Sequence, residues 1–367
     1  MKIFHMDAIE FRFFRILCLI AMLFCVFSTS AQQLQIPQSY IAFETIDSII
    51  IDGHAHENSW KKLAWSTDFI DIEGVRKPKY RTRMKMVYDA DNLYIFAQLE
   101  EPHVWATLKQ RDTVIFYNND FEVFLDPDGD THNYMEYEMN ALNTVWDLLL
   151  TKPYRNDGKI LDAWDFKGFK SASSIDGTLN DPSDTDKGWS VEIALPWKVL
   201  REAATFKEPP VDTFWRINFS RVNWRFELKN GRYSRKKDSA GNYLPEYNWV
   251  WSPQQVINMH EPERWGYVYF SSKKSGEKDS FEIPRDEQLK WALYDLYRQN
   301  RVDFDQKNSG KELDKSVFLK PIIVDGKKLI PKIEIYQNGW NLSVISPFSK
   351  KILLIKEDGQ FMELPSH

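Results

Sequence analysis

The chain is predicted to be all-β, an immunoglobulin- or jelly-roll-like β-sandwich carrying a small C-terminal helix-plus-β extension. Three observations predict it. From Tyr40 to about Ser272, short runs of alternating apolar and polar residues are broken by turn residues, the pattern of half-buried strands. Trp, Tyr and Phe make up 15% of the chain, with 14 tryptophans, all after residue 31; large aromatics fill sandwich cores. A composition shift at Ser271-Ser272-Lys273-Lys274-Ser275-Gly276 marks a linker, and beyond it the periodicity becomes helical, with Leu289, Leu293, Leu296 and Tyr297 at helix spacing.

At the N-terminus, Arg12 and Arg15 precede the apolar run Ile16 to Phe27, which ends in Ser28-Thr29-Ser30-Ala31. That layout is a signal peptide cleaved after Ala31, with an apolar run too short to span a bilayer. Both cysteines, Cys18 and Cys25, fall inside it, so the mature chain is expected to have no disulfide and no thiol chemistry. Phe24 and Val26 flank Cys25 where lipid attachment needs small residues. The resulting expectation is an exported protein, periplasmic or secreted, of the bacterial envelope type. Losing three basic and two acidic residues with the leader changes the net charge from −5 to −6. Such a surface argues against nucleic acid or anionic membrane as partner.

Met84–Tyr88, the turn Asp89-Ala90-Asp91-Asn92, and Leu93–Ala97 read as a hairpin. Further strands are expected at 121–125, 134–140, 144–149, 189–194, 215–221 and 265–270. Pro196 is placed to open a short helix at Leu195–Leu200, where its missing N–H costs nothing. Domain boundaries follow: signal peptide 1–31, sandwich 32–272, extension 273–367. The extension should hold a helix at about 286–301 with Asp286 as its cap. Strands at 332–336, 340–345 and 351–356 should then be joined by turns at Asn338-Gly339 and Asp358-Gly359.

Neighbouring side chains on a strand point to opposite faces. Phe121, Val123 and Leu125 should therefore face the core, as should Met135, Tyr137 and Met139, and Trp215, Ile217 and Phe219. If these strands share a sheet, its open face is a polar strip of Glu122, Glu138, Asn140, Asn218 and Ser220.

The order of the motifs resembles the family 9 carbohydrate-binding modules. It runs from Ile51-Asp52-Gly53 and Trp60 through Tyr88-Asp89, Leu93-Tyr94-Ile95, Asp120–Asp126 and Tyr137–Asn140. Trp189–Trp197, Trp215–Phe219 and His260–Gly266 complete it, so that the likeness covers roughly residues 40–270. The resemblance implies a sugar-binding sandwich whose ligand face is the polar strip, with Glu122 at the position of a sugar-contacting glutamate. It also implies departures, since the family's ligand-binding arginine falls at Glu138 and its glutamine at Ser220. The two tryptophans that sandwich a terminal sugar fall near Phe116 and Met259. Among Tyr117, Trp105, Trp146, Trp249 and Trp251 as replacement platforms, Tyr117 and Trp251 are carried forward. Sugar hydroxyls need planar polar partners and C–H faces need aromatic ones. The expected ligand is thus an oligosaccharide or polysaccharide, different from the reducing-end sugars that characterised modules bind. A glycoside hydrolase or a sugar-uptake protein is the expected partner.

Other readings stay open. Asp126-Pro127-Asp128-Gly129-Asp130 spaces oxygen ligands as a calcium loop does, although an acidic hairpin turn has the same form. Glu122, Glu136 and Glu138 could serve a glycoside hydrolase as acid and base, with Glu136 and Glu138 about 7 Å apart on one strand face. Solvated strand carboxylates are the commoner reading. Met259-His260, with His103 or His132, invites a haem-binding sandwich, but no Cys-x-x-Cys-His motif is present. A protein-interaction scaffold is the remaining alternative. His54 and His56 read as surface-loop residues, and no nucleotide, flavin or nucleophile-elbow motif occurs.

Overall fold

A computed structural model describes residues 36–307, 320–337 and 339–366. The leader read at residues 1–31 lies outside these, as does Asn338 of the expected Asn338-Gly339 turn. Pro37–His367 is one compact unit and holds every element described below. Among the described residues no helix is long and apolar enough to cross a membrane.

The protein is a β-sandwich. One layer runs in the order Ile160–Leu161, Val145–Leu150, Tyr134–Asn140, Asp120–Asp126, Phe214–Asn223 and Gly266–Lys274. The other runs Thr82–Tyr88, Asn92–Glu100, Gly188–Pro196 and Lys170–Asp176. Ser39–Glu44 joins the layers by pairing parallel to both Gly266–Lys274 and Thr82–Tyr88. The Thr82–Tyr88 and Asn92–Glu100 hairpin forms as expected, because Asp89 Oδ1 accepts the N–H groups of Asp91 and Asn92 at 2.8 Å and closes the turn.

The core follows the alternation read from the sequence. Phe121, Val123, Leu125, Met135, Tyr137, Met139, Trp215, Ile217 and Phe219 meet Met84, Met86, Leu93, Ile95, Val191 and Ile193 in one cluster. Full burial of such a side chain contributes about 1.5–3 kcal/mol. Pro196 ends the Gly188–Pro196 strand, and the helical turn Trp197–Leu200 follows it. Trp197 packs edge-on against Trp215 at 5.7 Å and donates Nε1–H to Asp89 O. Glu192 explains why the Ile51-Asp52-Gly53, Trp60 and Trp189–Trp197 motifs travel together. Its carboxylate accepts from Asp52 N, Gly53 N and Trp60 Nε1 at 3.0–3.1 Å, and burial pushes it up to about 7.

Three expectations are corrected here. The outer face of the central strands is not open, since every residue of Asp120–Asp126 and Tyr134–Asn140 is buried. Alternation reports which face a side chain takes and carries no information about what lies over that face. The stretch read as a linker is no linker either. Ser271–Lys274 continues the strand Gly266–Lys274, Ser271 is fully buried, and the chain turns only at Ser275-Gly276. The extension's helix runs from Arg285 to Lys307, which places Asp286 within its first turn. There Asp286 Oδ1 accepts the Ser346 hydroxyl and ties the helix to the last sheet.

That sheet is a meander of Lys332–Tyr336, Gly339–Ile345, Ile352–Lys356 and Phe361–Leu364. It shares a core with Leu289, Leu293, Leu296 and Tyr297 of the helix. The helix and sheet grip the sandwich through polar contacts. Arg298 Nε donates to Glu263 at 2.6 Å, Phe361 N to Asp130 O at 3.0 Å, and the Thr131 and Tyr294 hydroxyls both donate to Gly359 O at 2.9 Å.

Candidate functional site

The strand register assembles the site. On adjacent antiparallel strands Glu122 lies opposite Glu138 and Phe124 opposite Glu136, while Ser220 flanks Glu122 from the other side. Like charges directly opposite one another destabilise a sheet, so this arrangement needs a compensating reason. The three glutamates line a cavity of about 330 Å³. Its walls are Phe116, Trp146, Tyr154 and Met259, with His260, Glu246, Asn248 and Asn258 at the polar margin.

Each wall is held by a local device. Phe116 sits in the turn Ile115–Tyr117, anchored where its N–H donates to Glu138 Oε2 at 3.0 Å. Trp146 donates Nε1–H to Asp162 at 2.7 Å, which leaves its ring along the cavity. Met259 is fixed by its carbonyl, which accepts Trp265 Nε1–H at 2.8 Å. Tyr154 lies edge-on to His260 at 4.6 Å, and His260 Nδ1 is hydrogen-bonded to the Tyr134 hydroxyl at 2.8 Å.

The glutamates are 3–6% exposed. Burial raises Glu122 to about 7, with Ser220 pulling against it and Glu246 adding to it. Burial and the nearby Glu122 raise Glu136 to about 8. Glu138 is pushed well above the carboxylate range by burial, then by Glu122, Glu136 and Asp120. Burial also drives His260 down to about 3, so it stays neutral at physiological pH. The reading of these carboxylates as solvated strand residues is therefore corrected.

Of the residues expected from sequence, Glu122 and Glu138 line the cavity, with Ser220 beside Glu122. Asn140 and Asn218 do not. Asn140 is consumed by loops, donating to Leu108 O and accepting from Leu142 N and Thr144 N. Asn218 pairs both ways with the Ser252 backbone at 2.8–2.9 Å. These amides hold the cover in place. Tyr117 stands outside the cavity, 45% exposed, with the Arg235 guanidinium 4.5 Å over its ring. Trp251 is core: it packs on Phe219, and a Cβ at Gly266 would lie 2.3 Å from its ring, which is why a glycine follows Trp265. Trp105 and Trp249 are buried as well. Tyr154 and Glu246 were missed, because they lie in irregular segments where no period singles them out. Phe116 and Met259 face the same cavity.

His103 and His132 are engaged elsewhere, with the Tyr233 hydroxyl at 3.0 Å and with Asp358 at 3.3 Å. His54 and His56 stack on each other in a loop, 4.9 Å apart.

In the acidic loop, oxygens of Asp126, Asp128 and Asp130 lie within 4.8 Å of one another, and the protein's own donors compete for them. Asp126 spends its two oxygens on Gly129 N and Thr131 N, at 3.0 and 2.9 Å, and Asp130 spends its own on His132 N and Gln360 Nε2. Lys290, from the extension's helix, donates Nζ–H to Gly129 O and brings the positive charge that an ion would bring. Chelation of calcium is expected to leave the melting temperature unchanged, whereas Lys290→Met should lower it by several degrees. A melting point of the unmodified protein that rises with added calcium would return the ion to this loop.

A β-sandwich whose central strands floor a cavity with carboxylates, walled by aromatic rings, has the form of a small-molecule-binding site. Residues 51–214 match the family described as Carbohydrate family 9 binding domain-like. The sandwich extends beyond the matched residues, since Phe214–Asn223 and Gly266–Lys274 complete the first layer. No curated protein matches the chain. Among solved structures it is similar to a putative carbohydrate-binding protein from Bacteroides uniformis ATCC 8492. That likeness has 15% identity and a TM-score of 0.46, over 64% of this chain and 99% of that one. It is also similar to a family 9 module from Caldicellulosiruptor kristjanssonii in complex with glucose, at 16% identity and TM-score 0.38, over 66% of this chain and 100% of that one. With cellotriose bound, the corresponding figures are 16%, 0.37, 67% and 98%.

Proposed function

We propose that the cavity binds a saccharide reversibly and does not cleave it. The observation that carries this reading is the pairing of in-register carboxylates on the cavity floor with Phe116, Trp146 and Tyr154 on its walls, within a stretch that matches a carbohydrate-binding family. Carboxylates accept hydroxyl hydrogen bonds, and aromatic faces cover C–H groups. Glu122 reads hydroxyls at the floor, and Trp146 and Phe116 bracket the ring. Substrate turnover belongs to a partner, a glycoside hydrolase or a sugar-uptake protein, which the chain meets after export to the periplasm or the cell exterior.

Calorimetric titration of the protein with neutral and amino mono- and oligosaccharides tests the reading. A hydrogen bond to a charged group contributes about 1.5–3 kcal/mol, so Glu122→Gln should weaken binding by about 10- to 100-fold with the melting point kept. Absence of binding to every class at millimolar sugar would overturn it. Release of sugar from a glycan that Glu122→Gln abolishes would replace it with a glycoside hydrolase.

A further inference from the structure

The cavity gathers more acidic side chains than basic ones. Glu122, Glu136 and Glu138 line it, Glu246 stands at its margin, and Asp120 lies behind the floor, with oxygens of Asp120, Glu122 and Glu138 within 4.8 Å of one another. One basic side chain, Arg155, also lines the cavity; its guanidinium donates to Ile257 O at 3.1 Å and lies 5.9 Å from the Tyr154 ring centre. Behind Asp120, Arg221 is bound to Glu101 at 2.9 Å and to Thr82 Oγ1 at 3.0 Å. His260 Nε2 comes only to 4.0 Å from Glu136.

A second observation is independent of the cluster's composition. Asp120 has no exposure, and its Oδ2 has no hydrogen-bond partner among the described residues, while its Oδ1 accepts Val222 N at 3.1 Å. A buried carboxylate is stable when it holds a proton or faces a positive charge. The space in front of Glu122, Glu136 and Glu138 is larger than a bare ion needs. At about 330 Å³ it falls within the range of organic-ligand sites, about 300–1,000 Å³, and three of its walls are aromatic. Aromatic faces attract ammonium groups as well as sugar C–H faces.

We propose that the saccharide taken by this cavity carries a free ammonium group, as in an unacetylated hexosamine unit, whose N–H groups bond Glu122, Glu136 and Glu138. The proposal rests on the saccharide reading above and names the class of sugar. Glu138 becomes the residue that sets this class, since an ammonium group beside it favours its ionised form, whereas an acidic or N-acetylated sugar brings no positive charge to pair with it.

The test is calorimetry on the whole chain with three matched ladders of one linkage: glucosamine, N-acetylglucosamine and glucose, each as monomer to trimer. The amine ladder should bind at least 30-fold more tightly than the other two, since charge-assisted hydrogen bonds are roughly twice as strong as neutral ones. Raising the salt should narrow that gap. Glu138→Gln, whose side-chain carbonyl keeps an acceptor for Phe116 N–H, should cut the amine-to-glucose affinity ratio at least tenfold. Glu136→Gln should cut it too, which guards against one variant failing to fold. Equal binding of the amine and neutral ladders would overturn the ammonium proposal and leave the saccharide reading standing. Binding of no ladder would overturn both. Binding of calcium, magnesium or manganese that displaces the amine would overturn it in favour of a divalent-cation site.

Discussion

Replacing Arg216 by alanine is expected to lower the unfolding free energy by about 3–5 kcal/mol, read as a reduced urea midpoint with an unchanged slope. Arg216 stands on the outer face of Phe214–Asn223, between the core residues Trp215 and Ile217, and is 1% exposed. Its Nη1 donates to the Tyr267 hydroxyl at 2.7 Å and to Glu287 at 3.2 Å, and its Nη2 donates to the carbonyls of Glu263 and Trp265. The guanidinium also lies 4.0 Å over the Tyr267 ring. Glu287 is on the extension's helix, so this one side chain ties helix to sandwich. Truncation leaves Glu287 buried with its charge partner gone and two carbonyls without donors, and an uncompensated buried charge is the costly case. The double variant Arg216→Met with Glu287→Leu should lose less than Arg216→Ala alone, because both charges leave together. Equal losses would mean that packing around Tyr267 and Trp291, and not the ion pair, holds the helix.

Arg216 also marks what could be read from the sequence. Alternation placed it outward, which is correct, and nothing in the strand said that a helix some seventy residues later would cover it. The same division runs through the molecule. Core residues such as Phe121, Met135 and Trp215 were legible because a strand buries every second side chain and the pattern repeats locally. The cover was not legible, because it is made by irregular segments carrying Phe116, Tyr154 and Met259, whose positions are set by single contacts with Glu138, His260 and Trp265. Glu122 and Glu138 were found because they sit in regular strands. Asn140 and Asn218 were found for the same reason and turn out to hold loops. Trp251 was misjudged because a tryptophan's chemistry is the same in a core and on a platform; only its neighbour Gly266 hints that a ring passes close by. Glu138 was visible in the sequence as an outward residue, and its consequence needed the register that sets it against Glu122.

Glu136→Gln should make the protein more stable than the parent at pH 8, with the gap narrowing to about 1 kcal/mol at pH 5. Glu136 is raised to about 8 by burial and by Glu122, above its unfolded value of about 4.3. Folding therefore favours the protonated carboxyl. The stability tied to that proton is fully present below about pH 4.3 and is lost as the pH rises through 8, because the unfolded chain ionises freely while the folded one resists. Every tenfold difference in proton affinity between folded and unfolded chain corresponds to about 1.4 kcal/mol, so the parent should lose on the order of 3–4 kcal/mol across that window relative to a glutamine, which resembles the protonated acid and does not titrate. Glu122, raised to about 7, adds a loss of the same sign in both proteins. His260, held neutral by burial near a pKa of about 3, acts oppositely, favouring the fold as the pH rises toward 6.5. Both contributions largely cancel in the comparison of parent with variant, which is why the difference, and not the parent's own pH profile, is the quantity to measure. Urea midpoints of the two proteins at pH 5, 6, 7 and 8 would show it. A constant difference across that range would mean that Glu136 is solvated and ionised in the fold, and the cavity would then be a wet acidic groove with no need of a cationic guest.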